Sequence, residues 1–236
     1  MNYLSPKLGN ISGGKILDVA TYSGDFIDKL IKAFKDFESA VGIDLADKEF
    51  EKAREKFKGK PVDFMVMDSR KLEFSDCSFD TVAMSNGLHH MADIGKALSE
   101  MSRVLKPGGN FIIFEVFGGD QNENQMSDVL HHHFGIKLDR LRGKVHNYPL
   151  TKAEIIEHIN RLGLSDYESF DYQCTECNPE TEEKLAERMN DIDRDLADFI
   201  DHPEYESLKQ EGEQIKQRFR TIGYECSSCL VIIGKK

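Results

Sequence analysis

The sequence predicts an α/β protein built on a mainly parallel sheet, and three observations carry that expectation. Short, nearly continuous apolar runs recur along residues 1–170, as in strands covered on both faces. Between them lie segments whose apolar residues fall on one helical stripe. Strict alternation of the two kinds requires crossover connections, and crossovers make neighbouring strands parallel.

The elements follow in order. Strands are expected at KILDVA (15–20), SAVGIDL (39–45), VDFMVMD (62–68), FDTVAMS (79–85) and NFIIFEVF (110–117). The helix over 25–37 places Phe26, Leu30, Ala33 and Phe37 on one stripe, and that over 47–57 does so with Phe50, Ala53 and Phe57. The helix over 94–105 aligns Ile94, Leu98, Met101 and Leu105. After Phe117 the text turns polar. A capping box, Thr151 with Glu154, then opens a further helix that Gly163 closes. Residues 165–174 read as a sixth strand. Residues 180–222 read as two helices broken at His202-Pro203, with Leu185, Met189, Ile192, Leu196 and Phe199 on the first stripe and Leu208, Ile215, Phe219 and Ile222 on the second. CLVIIGKK (229–236) is the last strand.

At 236 residues the chain is expected to form one domain with a helical insert before the last strand. The formal charge is -11, of which the 180–222 segment carries -6, so a nucleic-acid partner is disfavoured. No apolar run approaches a membrane span. The first residues lack the apolar core of an export signal, and the five cysteines read as intracellular thiols, so a cytoplasmic location is expected.

In an open parallel sheet, ligands bind beyond the carboxyl ends of the strands where the winding reverses. The first strand ends in LDVATYSGDF, an acidic residue, small residues and a glycine before a helix N-terminus, which suits close approach to an anionic group. The second strand ends at Asp44, placed to grip the two hydroxyls of a ribose. The glycine spacing is not that of a dinucleotide binder.

Together, ILDVATYSGDF (16–26), VGIDL (41–45), VMDSRKLEFSDCSFDTV (66–82), SNGLHHMAD (85–93) and SEMSRVLKPGGNFIIFE (99–115) resemble the class I S-adenosylmethionine-dependent methyltransferases. The branch they resemble is the small-molecule one that includes the ubiquinone/menaquinone C-methyltransferases. The resemblance implies a Rossmann-like, doubly wound sheet of seven strands with the last strand antiparallel between the fifth and sixth. It implies S-adenosylmethionine as cofactor and a small-molecule methyl acceptor. Asp18 would orient the loop and the amino group of the methionine moiety, and Ala20, Thr21, Tyr22, Ser23 and Gly24 would wrap that moiety. Asp44 would bind the ribose and Leu45 would pack on the adenine, whose edge Asp68 and Ser69 would meet. Asn86 and Gly87 would line the cofactor near its sulfonium. The family usually has glycine where this chain has Tyr22, whose side chain must point away from the cofactor or stack over it.

His89, His90 and Glu115 are candidates for a base or a substrate contact, with capping and packing as the alternative. His131, His132 and His133 point about 100° apart on a regular helix, so they cannot all bind one metal. His146 and Tyr148 are candidate substrate contacts. Segments 118–150 and 178–222 are expected to cover the substrate. Cys174, Cys177, Cys226 and Cys229 form two C-x-x-C pairs with the spacing of a four-thiolate zinc site, against packed thiols, a disulfide or a thiophilic substrate site. Two other readings stay open: a thiol or metalloid (arsenite-like) methyltransferase, and an inactive binding module of the same fold. The chain is expected to be a monomer or homodimer.

Overall fold

The computed structural model describes residues 4–173 and 181–236. The chain divides into two compact units. The first comprises Met1–Glu115, Lys152–Tyr172 and Leu230–Lys236. Its elements are α1 (Ser5–Leu8), β1 (Lys15–Val19), α2 (Asp25–Ala33), β2 (Ser39–Asp44), α3 (Phe50–Lys56), β3 (Val62–Val66), β4 (Phe79–Ser85), α4 (Ile94–Val104) and β5 (Leu105–Val116), then α6 (Lys152–Asn160), β6 (Ser165–Tyr172) and β7 (Cys229–Lys235). The second unit, Val116–Thr151 and Gln173–Cys229, holds α5 (Gln125–Leu141), α7 (Glu182–Ala197) and α8 (Tyr205–Thr221).

The seven strands form one sheet in the order β3-β2-β1-β4-β5-β7-β6. β1 pairs in parallel with β2 and β4, β2 with β3, and β4 with β5. The sheet has one antiparallel strand. The end of β7 lies beside the start of β5, where Gly108 N–H donates to Lys236 O at 2.8 Å and Lys236 N–H to Gly109 O at 3.2 Å. Strand β7 therefore runs against β5. The chain winds from β1 out to β3, then returns to β4 and continues the other way. The winding reverses between β1 and β4, which puts the ligand crevice at their carboxyl ends.

The central strands are buried on both faces: Ile16, Leu17 and Val19 of β1, Val82, Ala83 and Met84 of β4, and Phe111, Ile112 and Ile113 of β5 have essentially no exposure. Burial of each such side chain stabilises the fold by roughly 1.5–3 kcal/mol. Strand β3 departs from the expected two-sided cover, because it is an edge strand and leaves Met65 and Val66 exposed.

Several boundaries differ from those expected. Helix α2 stops at Ala33, since Phe34 turns extended (ψ 154°) and its ring, rather than that of Phe37, enters the core. Helix α3 starts at Phe50, not at 47. Strand β5 starts at Leu105 rather than 110, with an irregularity that pairs Phe79 with Leu105 but Thr81 with Asn110, so Lys106-Pro107-Gly108-Gly109 is accommodated as a bulge. Ile222 lies beyond α8 and is exposed, not buried on its stripe.

In the second unit, Phe134 and Leu138 of α5, Ile192 and Leu196 of α7, and Leu208, Ile215 and Phe219 of α8 share one core. Gly212 permits the close approach there: a Cβ would come within 2.9 Å of Ile192 Cγ2. Among the described residues no helix is long and apolar enough to cross a membrane.

Candidate active site

The site is built in the first unit from the loops after β1, β2 and β4. The β1 loop is wound tightly, with Ala20 (φ 58°), Tyr22 (φ 48°) and Gly24 (φ 73°) all left-handed. For the two non-glycine residues this costs roughly 1–2 kcal/mol each. The loop is held from below. Thr21 N–H donates to Ile43 O at 2.9 Å, Thr21 Oγ1 donates to Asp18 Oδ2 at 2.7 Å, and Tyr22 N–H donates to Asp44 Oδ2 at 3.0 Å. Gly24 N–H closes the turn on Thr21 O at 2.8 Å. Ser23 donates to Asp25 at 2.7 Å in the first turn of α2.

Asp18 is a buried acid at the end of β1, 1% exposed. Its Oδ1 has no hydrogen-bond partner. Burial pushes its carboxyl up to about 7, the Thr21 hydroxyl works against this, and the neighbouring Asp44 charge adds to it. Asp44, at the end of β2, gives one oxygen to the loop, and Leu45 beside it is 68% exposed.

The β4 loop completes the crevice. Asn86 is left-handed (φ 48°), and its N–H donates to Phe114 O at 2.7 Å. A Cβ on Gly87 would lie 2.7 Å from Met84 Cγ and 3.1 Å from Ala20 Cβ, so only glycine lets the two loops meet. After β3, Ser69 is buried and donates to Met91 Sδ at 3.1 Å. Asp68 accepts from the Arg70 guanidinium at 2.7 Å, and this pair holds the Asp68 carboxyl below its usual range.

Glu115, at the carboxyl end of β5, is buried and takes hold of the short 3-10 turn Leu88–His90. Its Oε2 accepts Leu88 N–H at 3.1 Å and its Oε1 faces His89 Nδ1 at 2.5 Å. A neutral His89 that donates from Nδ1 to this carboxylate has its lone pair on Nε2. His89 is buried, whereas His90 is exposed with its ring centroid 4.3 Å from that of His89.

Residues 17–113 match the methyltransferase domain family. They contain the β1 loop, Asp44, Asp68 and the β4 loop. Over this segment the chain is similar to that family. The chain is 31% identical over 113 residues to the ubiquinone/menaquinone biosynthesis C-methyltransferase of Desulfotalea psychrophila, a match spanning 48% of this chain and 46% of that protein. It thus covers less than half the length of this curated relative.

Among solved structures, the methyltransferase bound to the Trm112 activator of Haloferax volcanii superposes with a TM-score of 0.64 at 20% identity, over 99% of this chain and 87% of that one. The Haemonchus contortus phosphoethanolamine N-methyltransferase 2, solved with phosphomonomethylethanolamine and S-adenosylhomocysteine, gives 0.58 at 21% identity, over 96% of this chain and 50% of that one. These two structures share the fold of this chain.

The residues fit an adenosyl cofactor with an amino group. Asp18 Oδ1 is a buried acceptor that lacks a donor, and Gly87 lets the β4 loop close against Ala20 of the β1 loop. Tyr22 is 61% exposed, so its ring is not packed into the core. Replacing it with glycine relieves the left-handed strain. We expect Tyr22→Gly to gain about 0.5–1 kcal/mol in urea unfolding and to bind S-adenosylhomocysteine at least as tightly. A large loss of affinity would show that the ring covers the ligand.

The four-cysteine expectation gains no support. Cys174 and Cys177 lie outside the described residues. Burial pushes the Cys226 thiol up to about 11, with the Asp128 charge adding to the effect. Cys229 is a buried thiol in β7, and Cys77 is exposed elsewhere.

The second unit holds polar arrangements of its own that the sequence reading missed. Helix α5 was not foreseen as a 17-residue element. Its three histidines diverge as helical spacing requires: His131 meets the edge of Phe219, His132 meets His146, and His133 meets Tyr148. Asp128, on the same helix, accepts from the Tyr224 hydroxyl and from Ser227 N–H and Oγ at 2.8 and 2.7 Å.

Proposed function

We propose that the chain transfers a methyl group from S-adenosylmethionine to a small-molecule acceptor. The observation that carries this reading is the buried Asp18 oxygen without a partner, set under a left-handed loop where the sheet winding reverses. The cofactor, when bound, supplies an electrophilic methyl group. Asp18 would accept from the ammonium of its methionine moiety, which Ala20–Gly24 would wrap. Asp44 would take the ribose hydroxyls, Leu45 would cover the adenine, and Asp68 and Ser69 would meet its edge. Asn86 and Gly87 would border the sulfonium.

Methyl displacement needs alignment above all, and holding reactants in line supplies much of the acceleration. A base is needed only where the acceptor must lose a proton. For that case His89 is the proposed base and Glu115 its positioning residue, since the carboxylate fixes the tautomer with the lone pair on Nε2. The exposed His90 is the proposed acceptor contact. The negative charge of the chain disfavours RNA as acceptor, and the quinone-pathway name of the matched relative favours a small molecule.

Calorimetry with S-adenosylhomocysteine tests the reading. We expect saturable binding, weakened by Asp44→Ala by about 1–3 kcal/mol through lost charged hydrogen bonds. Absence of both heat and thermal shift in the wild type overturns it. A labelled-methyl screen of metabolite extracts against RNA and protein fractions then identifies the acceptor class.

A further inference from the structure

We propose that the second unit holds a divalent transition-metal ion between His132 Nε2 and His146 Nε2, with Asp139 bracing His146 from behind. Helix α5 puts Asp139 seven residues after His132, two turns along the same face. The helix then ends in a reversal at Gly143 (φ 77°), with Gly143 N–H on Arg140 O and Lys144 N–H on Asp139 O, both at 2.9 Å. This turn folds the following loop back along that face and brings His146 to it, 7% exposed. Arg140 Nε donates to His146 O at 2.7 Å and fixes the backbone there.

The result is a chain of three groups. Asp139 Oδ2 lies 3.0 Å from His146 Nδ1, and His146 Nε2 lies 3.2 Å from His132 Nε2. Two imidazole nitrogens bound to one tetrahedral ion at about 2.0–2.1 Å are roughly 3.3 Å apart. The observed separation matches that spacing without any movement. A carboxylate on the far nitrogen is the usual outer partner of a metal-binding histidine: it fixes the tautomer and leaves Nε2 as the donor. Lys144, 2.8 Å from the other oxygen of Asp139, keeps that carboxylate charged and in place.

Imidazole donors suit zinc, cobalt and nickel rather than magnesium or calcium. Two protein ligands leave further coordination positions for water or for an oxygen or nitrogen ligand. The strongly acidic 180–222 segment of the same unit raises the local concentration of cations.

The competing arrangement is an ordinary hydrogen bond between the two rings. It requires the His132 proton on Nε2, whereas a metal requires it on Nδ1. The test uses the full chain, expressed without a histidine tag, stripped with a chelator and titrated with Co²⁺. We expect one ion per chain, with visible cobalt bands and no sulfur-to-metal charge-transfer band. His132→Gln should weaken binding by about 100-fold or more, and Asp139→Asn by about 10–100-fold. Cys226→Ser should change nothing. Because glutamine can still donate to His146 Nε2, His132→Gln retains the contact that a simple hydrogen bond would supply. Co²⁺ should therefore raise the melting temperature of the wild type but not of His132→Gln. The proposal is overturned if the wild type shows no saturable Co²⁺ binding. It is equally overturned if His132→Gln binds as tightly, or if a sulfur band appears and is lost in Cys226→Ser.

Discussion

Asp18→Asn is expected to weaken S-adenosylhomocysteine binding at least tenfold at pH 7.5 and to remove most of its dependence on pH. Asp18 is buried, and one of its oxygens lacks a donor. Burial, with the Asp44 charge adding to it, lifts its carboxyl from 3.8 to about 7. An ammonium group arriving at Oδ1 is held only by the ionised form. Near pH 6 most of the wild type must first lose that proton, so affinity should rise about tenfold between pH 6 and pH 8. The ligand-free protein should show the opposite trend in stability. Between about pH 4 and 7 the folded state holds a proton that the unfolded state has released. Stability is therefore lost as pH rises through this window and levels off above it. The change is on the order of a few kcal/mol, and Asp18→Asn should flatten it. Calorimetry at three pH values and urea unfolding at the same values measure both effects. A wild-type affinity that is flat from pH 6 to 8, or one that Asp18→Asn leaves unchanged, removes Asp18 from cofactor binding.

Asp18 also illustrates why some of this protein could be read before its structure. Its loop and the ends of β2 and β4 are local features: each sits at the carboxyl end of an apolar run, and the order of those runs fixes which ends converge. The alternation itself predicts only a parallel sheet; the seven strands and the antiparallel last one are what the resemblance of the motifs implies. The extent of helix α5 is not legible in the sequence, for a physical reason. Its buried positions include Gln125 and Ser127 as well as Val129, Phe134, Ile136 and Leu138, so they trace no single apolar stripe. The polar ones are satisfied about a hundred residues away, where Ser127 Oγ donates to Gly223 O at 2.6 Å and Gln125 Nε2 to Ser228 Oγ at 2.9 Å. No periodicity records such partners. The three consecutive histidines were correctly separated by helical geometry, but the meeting of His132 with His146 depends on how the loop after Gly143 returns. The same holds for Glu115, whose position at a strand end is visible in the text while its two partners on the Leu88–His90 turn are not.

Glu115→Ala is expected to cost about 3 kcal/mol in stability, the largest loss for any single change in the first unit's site. The carboxylate is buried and serves two buried donors at once, Leu88 N–H and His89 Nδ1. Truncation leaves both without an acceptor, and each orphaned donor costs roughly 1–3 kcal/mol. It also opens a hole between the end of β5 and the turn. Glu115→Gln retains the volume and one carbonyl acceptor, so it should lose about half as much. Its amide places an N–H₂ opposite one of the two donors, which therefore stays unmatched. If Glu115 acts on the reaction by setting the His89 tautomer, Glu115→Gln should lower the methyl-transfer rate more than it weakens binding of S-adenosylhomocysteine. His89→Gln should lower the rate to a similar level, and the two changes together should cost little more than either alone. Urea unfolding of the two variants and a double-mutant cycle on the rate give both answers. A loss below 1 kcal/mol in Glu115→Ala would mean that the turn is held by its own backbone. Additive rate losses would mean that Glu115 and His89 work apart.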